Sequence, residues 1–187
     1  MNIMIVGVGG QGSLLASRLL GRVLTEENYD VKVSEVHGMS QRGGSVVTYV
    51  RFGEKVASPL IDIGEADFIV SFEKLEAARY APYLKKGGRI IVSSQQIDPM
   101  PVITGAAVYP ADVLDGMRAA GAQIDELDAL SLAEQAGSAK AANVVLMGRL
   151  ARYFDIAPEK WLAALKATVA PKFYEMNVTA FNLGYKA

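Results

Sequence analysis

Short β-branched runs alternate with stretches of helical apolar spacing in this chain of 187 residues, and glycine or proline marks most of the junctions. That alternation predicts an α/β fold: an open, mostly parallel sheet with helices on both faces, because parallel strands need long crossovers and the crossovers cover the sheet. Composition agrees, with 51% hydrophobic and 21% charged residues, far from the low-hydrophobicity, high-charge profile of disorder. The length suits one domain with a sizeable core. With no repeat, low-complexity tract or linker, the reading is a single domain over residues 1–187, its C-terminal helices packed on the same core.

Asn2 to Val6 is an apolar run stopped by Gly7, and Leu14, Leu15, Leu19, Leu20, Val23 and Leu24 then recur at helical spacing between Ser13 and Thr25. Strand, glycine turn and helix follow. Further strands are predicted over Val31 to Val36, Ser45 to Phe52 and Asp67 to Phe72, with Pro59 and Gly64 in a loop before the last. Leu75 to Leu84 predicts a helix closed by Lys85, Lys86, Gly87 and Gly88, since cations and then glycine suit a helix C-terminus. Arg89 to Ser93 is a fifth strand, and Val108 belongs to a short sixth after turn signals at Asp98, Pro99 and Pro101. Asp112 to Ala120 is helical and Gln123 to Leu127 extended, and Ser131 with Glu134 makes a capping box for a short helical turn. Three helices end the chain: Ala139 to Phe154, one opened by Pro158, and one opened by Pro171 that runs to about Leu183, the prolines standing where a missing N–H costs nothing. Trp161, Phe173, Tyr174 and Phe181 suit core or interface, and the small residues of Ala139 to Asn143 suit close backbone packing.

Lys and Arg number 19 against 20 Asp and Glu, a formal charge of −1. Such a balance offers no global attraction for nucleic acid or anionic lipid. The chain has no cysteine and one histidine, which removes disulfides, thiolate-ligated clusters, a cysteine nucleophile and multi-histidine metal sites. The N-terminal apolar run is too short for a signal peptide or a membrane span, so the expected location is the cytoplasm.

Two motifs carry chemistry. Gly7, Val8, Gly9, Gly10, Gln11 and Gly12 fit G-x-G-x-x-G between the first strand and the first helix, the Rossmann-like placement in which helix N-terminal amides attract a phosphate. Gly9 and Gly12 are expected to need a positive φ or an approach too close for a side chain. The alternative is a turn that only lets helix and strand pack closely. Glu35, at the end of the second strand, stands where a dinucleotide site wants a carboxylate. No tyrosine has a lysine four positions on, however, so the acid–base pair of short-chain dehydrogenases is missing, and Ser13 and Leu14 after Gly12 exclude a triphosphate P-loop. The second motif, His37, Gly38, Met39, Ser40, Gln41, Arg42, Gly43 and Gly44, falls between the second and third strands and should face the glycine loop, at the sheet edge where ligands gather. Arg42 suits a carboxylate or phosphate held at two points, and His37 a hydrogen bond or a proton transfer. Against this stands a loop held by its own hydrogen bonds, with Arg42 in a structural ion pair. Phe72, Glu73 and Lys74 either line the same cleft or form an exposed helix cap.

Taken in order, G-V-G-G-Q-G at Gly7 to Gly12, E-V-H-G-M-S-Q-R-G-G-S-V at Glu35 to Val46, V-R-F-G at Val50 to Gly53, S-P-L-I at Ser58 to Ile61 and G-E-A-D at Gly64 to Asp67 closely resemble the gamma-type module of 2-oxoacid:ferredoxin oxidoreductases. A-K-A-A-N-V-V-L-M-G at Ala139 to Gly148 and E-M-N-V-T-A-F-N-L-G at Glu175 to Gly184 extend the similarity over nearly the whole chain, closest to the small subunits of the indolepyruvate branch. The resemblance implies a cytoplasmic enzyme subunit, inactive alone, whose larger partner holds thiamine diphosphate and iron–sulfur clusters. The assembled enzyme would convert indolepyruvate and other arylpyruvates to acyl-CoA with coenzyme A and pass electrons to ferredoxin through that partner. On this chain the two motifs place His37 and Arg42 at a shared active site or interface, and Gly7, Gly9, Gly10, Gln11, Gly12, Ser40, Gln41 and Gly43 as binding residues, with no cofactor held by the chain alone. A gamma subunit acting on pyruvate or 2-oxoglutarate, and a stand-alone NAD(P)- or flavin-binding reductase, remain as alternatives.

Overall fold

The computed structural model describes residues 1–37 and 43–187. Strand β1 (Asn2–Val8) runs into helix α1 (Ser13–Glu26), and β2 (Asp30–His37) and β3 (Ser45–Gly53) follow. Next come β4 (Ala66–Ser71), α2 (Lys74–Tyr80) and β5 (Leu84–Ser93), then the short α3 (Met100–Ile103), α4 (Val113–Ala119) and β6 (Gln123–Leu127). Four helices close the chain: α5 (Ala129–Gln135), α6 (Ala142–Ala151), α7 (Pro158–Thr168) and α8 (Tyr174–Lys186). Among the described residues no helix is long and apolar enough to cross a membrane.

The six strands lie in the order β2-β3-β1-β4-β5-β6. Three neighbouring pairs, β1 with β4, β4 with β5 and β5 with β6, are parallel. The expected α/β architecture with a mostly parallel sheet is therefore present, with one departure. β3 is antiparallel to both β1 and β2 and stands between them, because the connection from His37 to Ser45 is shorter than the dozen or so residues a parallel crossover needs. Helices cover both faces. Ile3 and Ile5 of β1 point to the side packed by α1, α6, α7 and α8, with Leu19, Leu146, Trp161 and Phe181 among the buried side chains. Met4 and Val6 point to the side packed by α2 and α4 through Ala77, Val113, Leu114 and Met117.

Four expectations need correction. The helix begun at Lys74 ends at Tyr80, because Pro82 has no N–H for the next helical bond and its ring crowds the turn before it; the chain tightens into a 3-10 turn at Ala81–Tyr83. Lys85 to Gly88 consequently belong to β5, as a bulge across which the pairing moves from Ala66 with Leu84 to Phe68 with Arg89. Val108 is in no strand and is 91% exposed; the sixth strand is Gln123–Leu127. The α5 cap is Asp128, whose carboxylate accepts from the Ser131 N–H at 3.0 Å and from its hydroxyl at 2.7 Å, so Ser131 is a donor inside the helix. Finally, the helix expected over Ala139 to Phe154 begins as a 3-10 turn at Ala139–Ala141 and ends at Ala151.

Candidate functional site

β1, β4 and β5 all end at one edge of the sheet, and Gln11 ties the three ends together. Its side-chain oxygen accepts from the Val8 N–H at 2.7 Å, while its amide nitrogen donates to the Phe72 carbonyl at 3.0 Å and to Oε1 of Gln95 at 2.9 Å. Both hydrogens of that amide are engaged, so Gln11 shapes the loop and has no N–H left for a ligand. Gly7 lies beneath it, since a Cβ there would come within 2.8 Å of Gln11 Oε1.

Gly12 is the N-cap of α1 at φ 84, a left-handed conformation that disfavours any side chain. Asn143 of α6 donates to the Gly12 carbonyl at 3.0 Å, and a Cβ on Gly12 would meet the same Asn143 nitrogen at 2.3 Å. The first turn of α1 has no side-chain cap and no acidic residue, which leaves the positive end of that helix open to an anion. Positive φ falls on Gly10 and Gly12 and not on Gly9. The Gly9 N–H donates to the Gly44 carbonyl at 2.8 Å and its carbonyl accepts from Gly43, which brings the glycine loop against the end of the β2–β3 connection, as the sequence suggests.

Between the glycine loop and the start of α6 lies a cleft of about 560 Å³. Gly10, Gly12, Phe72, Gln95, Lys140 and Asn143 contribute to its wall, and Lys140 is the one titratable side chain that lines it among the described residues. A smaller cleft of about 340 Å³ on the other side of the loop is walled by Gly9, Gly10, Ser13, Leu14, Val46 and Glu35. There Oε2 of Glu35 is buried with no partner among the described residues. His37 ends β2 opposite Val46, one residue from the Ser45 that pairs with Val8. Ser40, Gln41 and Arg42 lie outside the described residues.

Glu73 caps α2, as one of the two readings expects, but it is 1% exposed and not a surface group. Its carboxylate accepts from the Glu76 N–H at 2.9 Å, from the Ile97 N–H at 3.2 Å and from the Tyr109 hydroxyl. Burial, then the Glu73 carboxylate, push the Tyr109 hydroxyl well above the usual phenol range. Beside this group, Ser45 donates to Glu76 and Arg79 pairs with the same carboxylate at 3.0 Å. The sequence reading missed Asn143 and Tyr109 as structural partners of this edge. For Asn143 the signal is a polar residue inside the apolar run Ala141 to Met147.

With no cysteine the chain has no thiolate for an iron–sulfur cluster, and among the described residues no three His, Asp or Glu side chains converge as metal ligands. These residues do not fit such a group.

Residues 2–187 match the family described as "Pyruvate ferredoxin/flavodoxin oxidoreductase". The chain belongs to that family. Within this oxidoreductase family it is 45% identical to indolepyruvate oxidoreductase subunit IorB of Thermococcus kodakarensis, an alignment that covers 100% of this chain and 95% of the relative. Its fold is shared with a keto/oxoacid ferredoxin oxidoreductase gamma subunit from Geobacter sulfurreducens, at a TM-score of 0.73 and 21% identity over 99% of this chain and 96% of that one. The fold also matches a 2-oxoglutarate:ferredoxin oxidoreductase from Magnetococcus marinus, at a TM-score of 0.72 and 17% identity, where 100% of this chain covers only 30% of the longer one. The resemblance to a gamma-type module is borne out, and the chain is an enzyme subunit of the oxidoreductase class.

Proposed function

We propose that this chain is the small subunit of an indolepyruvate:ferredoxin oxidoreductase, which decarboxylates indolepyruvate and other arylpyruvates oxidatively to acyl-CoA. Thiamine diphosphate and the iron–sulfur clusters belong to a larger partner, and ferredoxin receives the electrons there. The observation that carries this reading is the 45% identity with the Thermococcus kodakarensis IorB subunit over 95% of its length. The cleft supports it, because backbone amides, carboxamides and a single ammonium make a binding wall and supply no acid–base pair. In the sequence-based reading His37 and Arg42, with Ser40, Gln41 and Gly43 beside them, border the shared active site next to the glycine loop.

The test is reconstitution. The chain alone should contain no iron and reduce no dye with indolepyruvate, while the complex with its large chain should do so and prefer arylpyruvates to pyruvate and 2-oxoglutarate. Arg42→Lys in that complex should lower kcat/KM by roughly 30-fold or more, because an ammonium does not reproduce a two-point guanidinium contact. Turnover by the isolated chain would end the subunit reading. Glu35, whose Oε2 has no partner among the described residues and which lines the smaller cleft, favours a second reading, a stand-alone NAD(P)- or flavin-binding reductase; quenching of NADH emission by the isolated chain would select it.

A further inference from the structure

We propose that the segment from Pro99 to Ala111 is the knob by which this chain docks on its larger partner subunit, an inference that rests on the subunit reading above. The segment leaves the same sheet edge as the glycine loop, after β5. No charged residue occurs between Pro99 and Ala111, and Met100, Ile103 and Val108 are 65%, 67% and 91% exposed.

The knob is preformed. Its backbone closes on itself through the Ala107 N–H on the Pro101 carbonyl at 2.9 Å and the Gly105 N–H on the Val102 carbonyl at 3.0 Å. Its two ends are pinned to a single buried group, since the Ile97 N–H and the Tyr109 hydroxyl both reach Oε1 of Glu73. The Leu75 N–H in turn donates to the Tyr109 oxygen at 3.1 Å. Ordering has therefore been completed before any partner arrives, which removes much of the entropy loss that a flexible loop suffers on docking. Beside the root, Leu75, Ala78, Pro110, Val113 and Met117 line a groove of about 480 Å³ between α2 and α4 that continues the apolar surface.

Without a basic residue the segment has no ionic attraction for a phosphate or a carboxylate, and its exposed apolar side chains suit apolar protein surface. Lasting interfaces are apolar and poor in charge at their centre. That the partner is the rest of the enzyme follows from the two forms in which this fold occurs: a separate subunit matched over 95% of its length in Thermococcus kodakarensis, and 30% of a longer chain in Magnetococcus marinus. The module occurs both as a named subunit and as part of a longer chain, so the occupant assigned to this surface is the remainder of the enzyme.

The experiment uses the full chain and the co-expressed large chain, recognised by its iron and thiamine content. The double variant I103D/V108D should melt as the wild type does and associate at least tenfold more weakly. I63D, 71% exposed on the opposite sheet edge, should associate normally. Undiminished association of I103D/V108D would overturn the proposal, as would an isolated wild-type dimer that the double variant turns into a monomer. If the wild-type chain itself fails to bind the large chain, the subunit reading falls and takes the docking surface with it.

Discussion

Gly12 and Asn143 act as one unit, 131 positions apart in sequence. Replacing Gly12 by Ala forces a side chain into left-handed backbone, at about 1–2 kcal/mol. It also displaces the Asn143 amide and loses a hydrogen bond of about 1 kcal/mol. Gly12→Ala should therefore lower Tm by about 4–12 °C, given roughly 2–4 °C per kcal/mol at this chain length. The double variant G12A/N143A should melt above the sum of the single losses, because removal of the amide relieves the clash. Simple additivity in calorimetry would show that the clash contributes nothing. The glycine spacing was legible in the sequence, since a helix start after a strand requires it. The amide that locks it was not, because nothing local couples α6 to the end of β1. Glu73 shows the same limit: its place at a helix start was readable, while its burial depends on Tyr109 and the loop after β5, which only the folded chain brings over it.

Between elements, α6 and α8 approach backbone to backbone. A Cβ on Gly148 would lie 2.1 Å from the Phe181 carbonyl oxygen, and one on Gly184 would lie 1.9 Å from that of Val145. Each helix thus offers a glycine to a carbonyl of the other. Neither contact yields without moving a helix in a close-packed core, so Gly148→Ala or Gly184→Ala should cost about 3 kcal/mol or more in urea unfolding. Gly116 of α4 provides the contrast: no atom outside its own turn lies within 4 Å of its Cβ position. Gly116→Ala should stabilise by about 0.5–1 kcal/mol. Equal effects at the three sites would refute the packing argument. Helix starts at Pro158 and near Pro171 were legible because proline suits a first turn. The short α2 was also readable in principle, since Pro82 stands inside the apolar pattern that suggested a longer helix. The close approach at Gly148 and Gly184 was not readable, because the roles of these glycines emerge only when the two helices face each other.

Across the whole molecule, the outer strand β6 is fastened to the helical layer by Asp125, whose side chain is almost fully buried. Arg149 donates to both of its carboxylate oxygens at 2.7 Å, and the Tyr153 hydroxyl adds a bond at 2.6 Å. Burial opposes ionisation of Asp125, but the Arg149 guanidinium and the Tyr153 hydroxyl outweigh it and hold the carboxyl below its usual range. A folded value below the unfolded one gives stability that is present above the unfolded value, near pH 4, and is lost as pH falls through the folded value. Asp125→Asn should accordingly cost about 3 kcal/mol at pH 7 and progressively less below about pH 4. Urea unfolding followed by emission of Trp161, the single tryptophan and fully buried, measures the gap; a gap independent of pH would discard the ionic account. The layered α/β plan was legible from the alternation of strand and helix patterns. The inserted β3 was legible too, in the short link from His37 to Ser45, but the general rule of parallel crossovers obscured it. That insertion also sets an order of assembly. β1, α1, β2 and β3 are contiguous in the chain, and β2–β3 is a hairpin that closes within microseconds. This half can therefore form while the later strands are still being synthesised. β4, β5 and β6 each wait for a connection to cross the sheet before they pair, and long-range pairing is slow. The exposed side of β1, to which β4 must add, is then the aggregation-prone edge of a nascent chain.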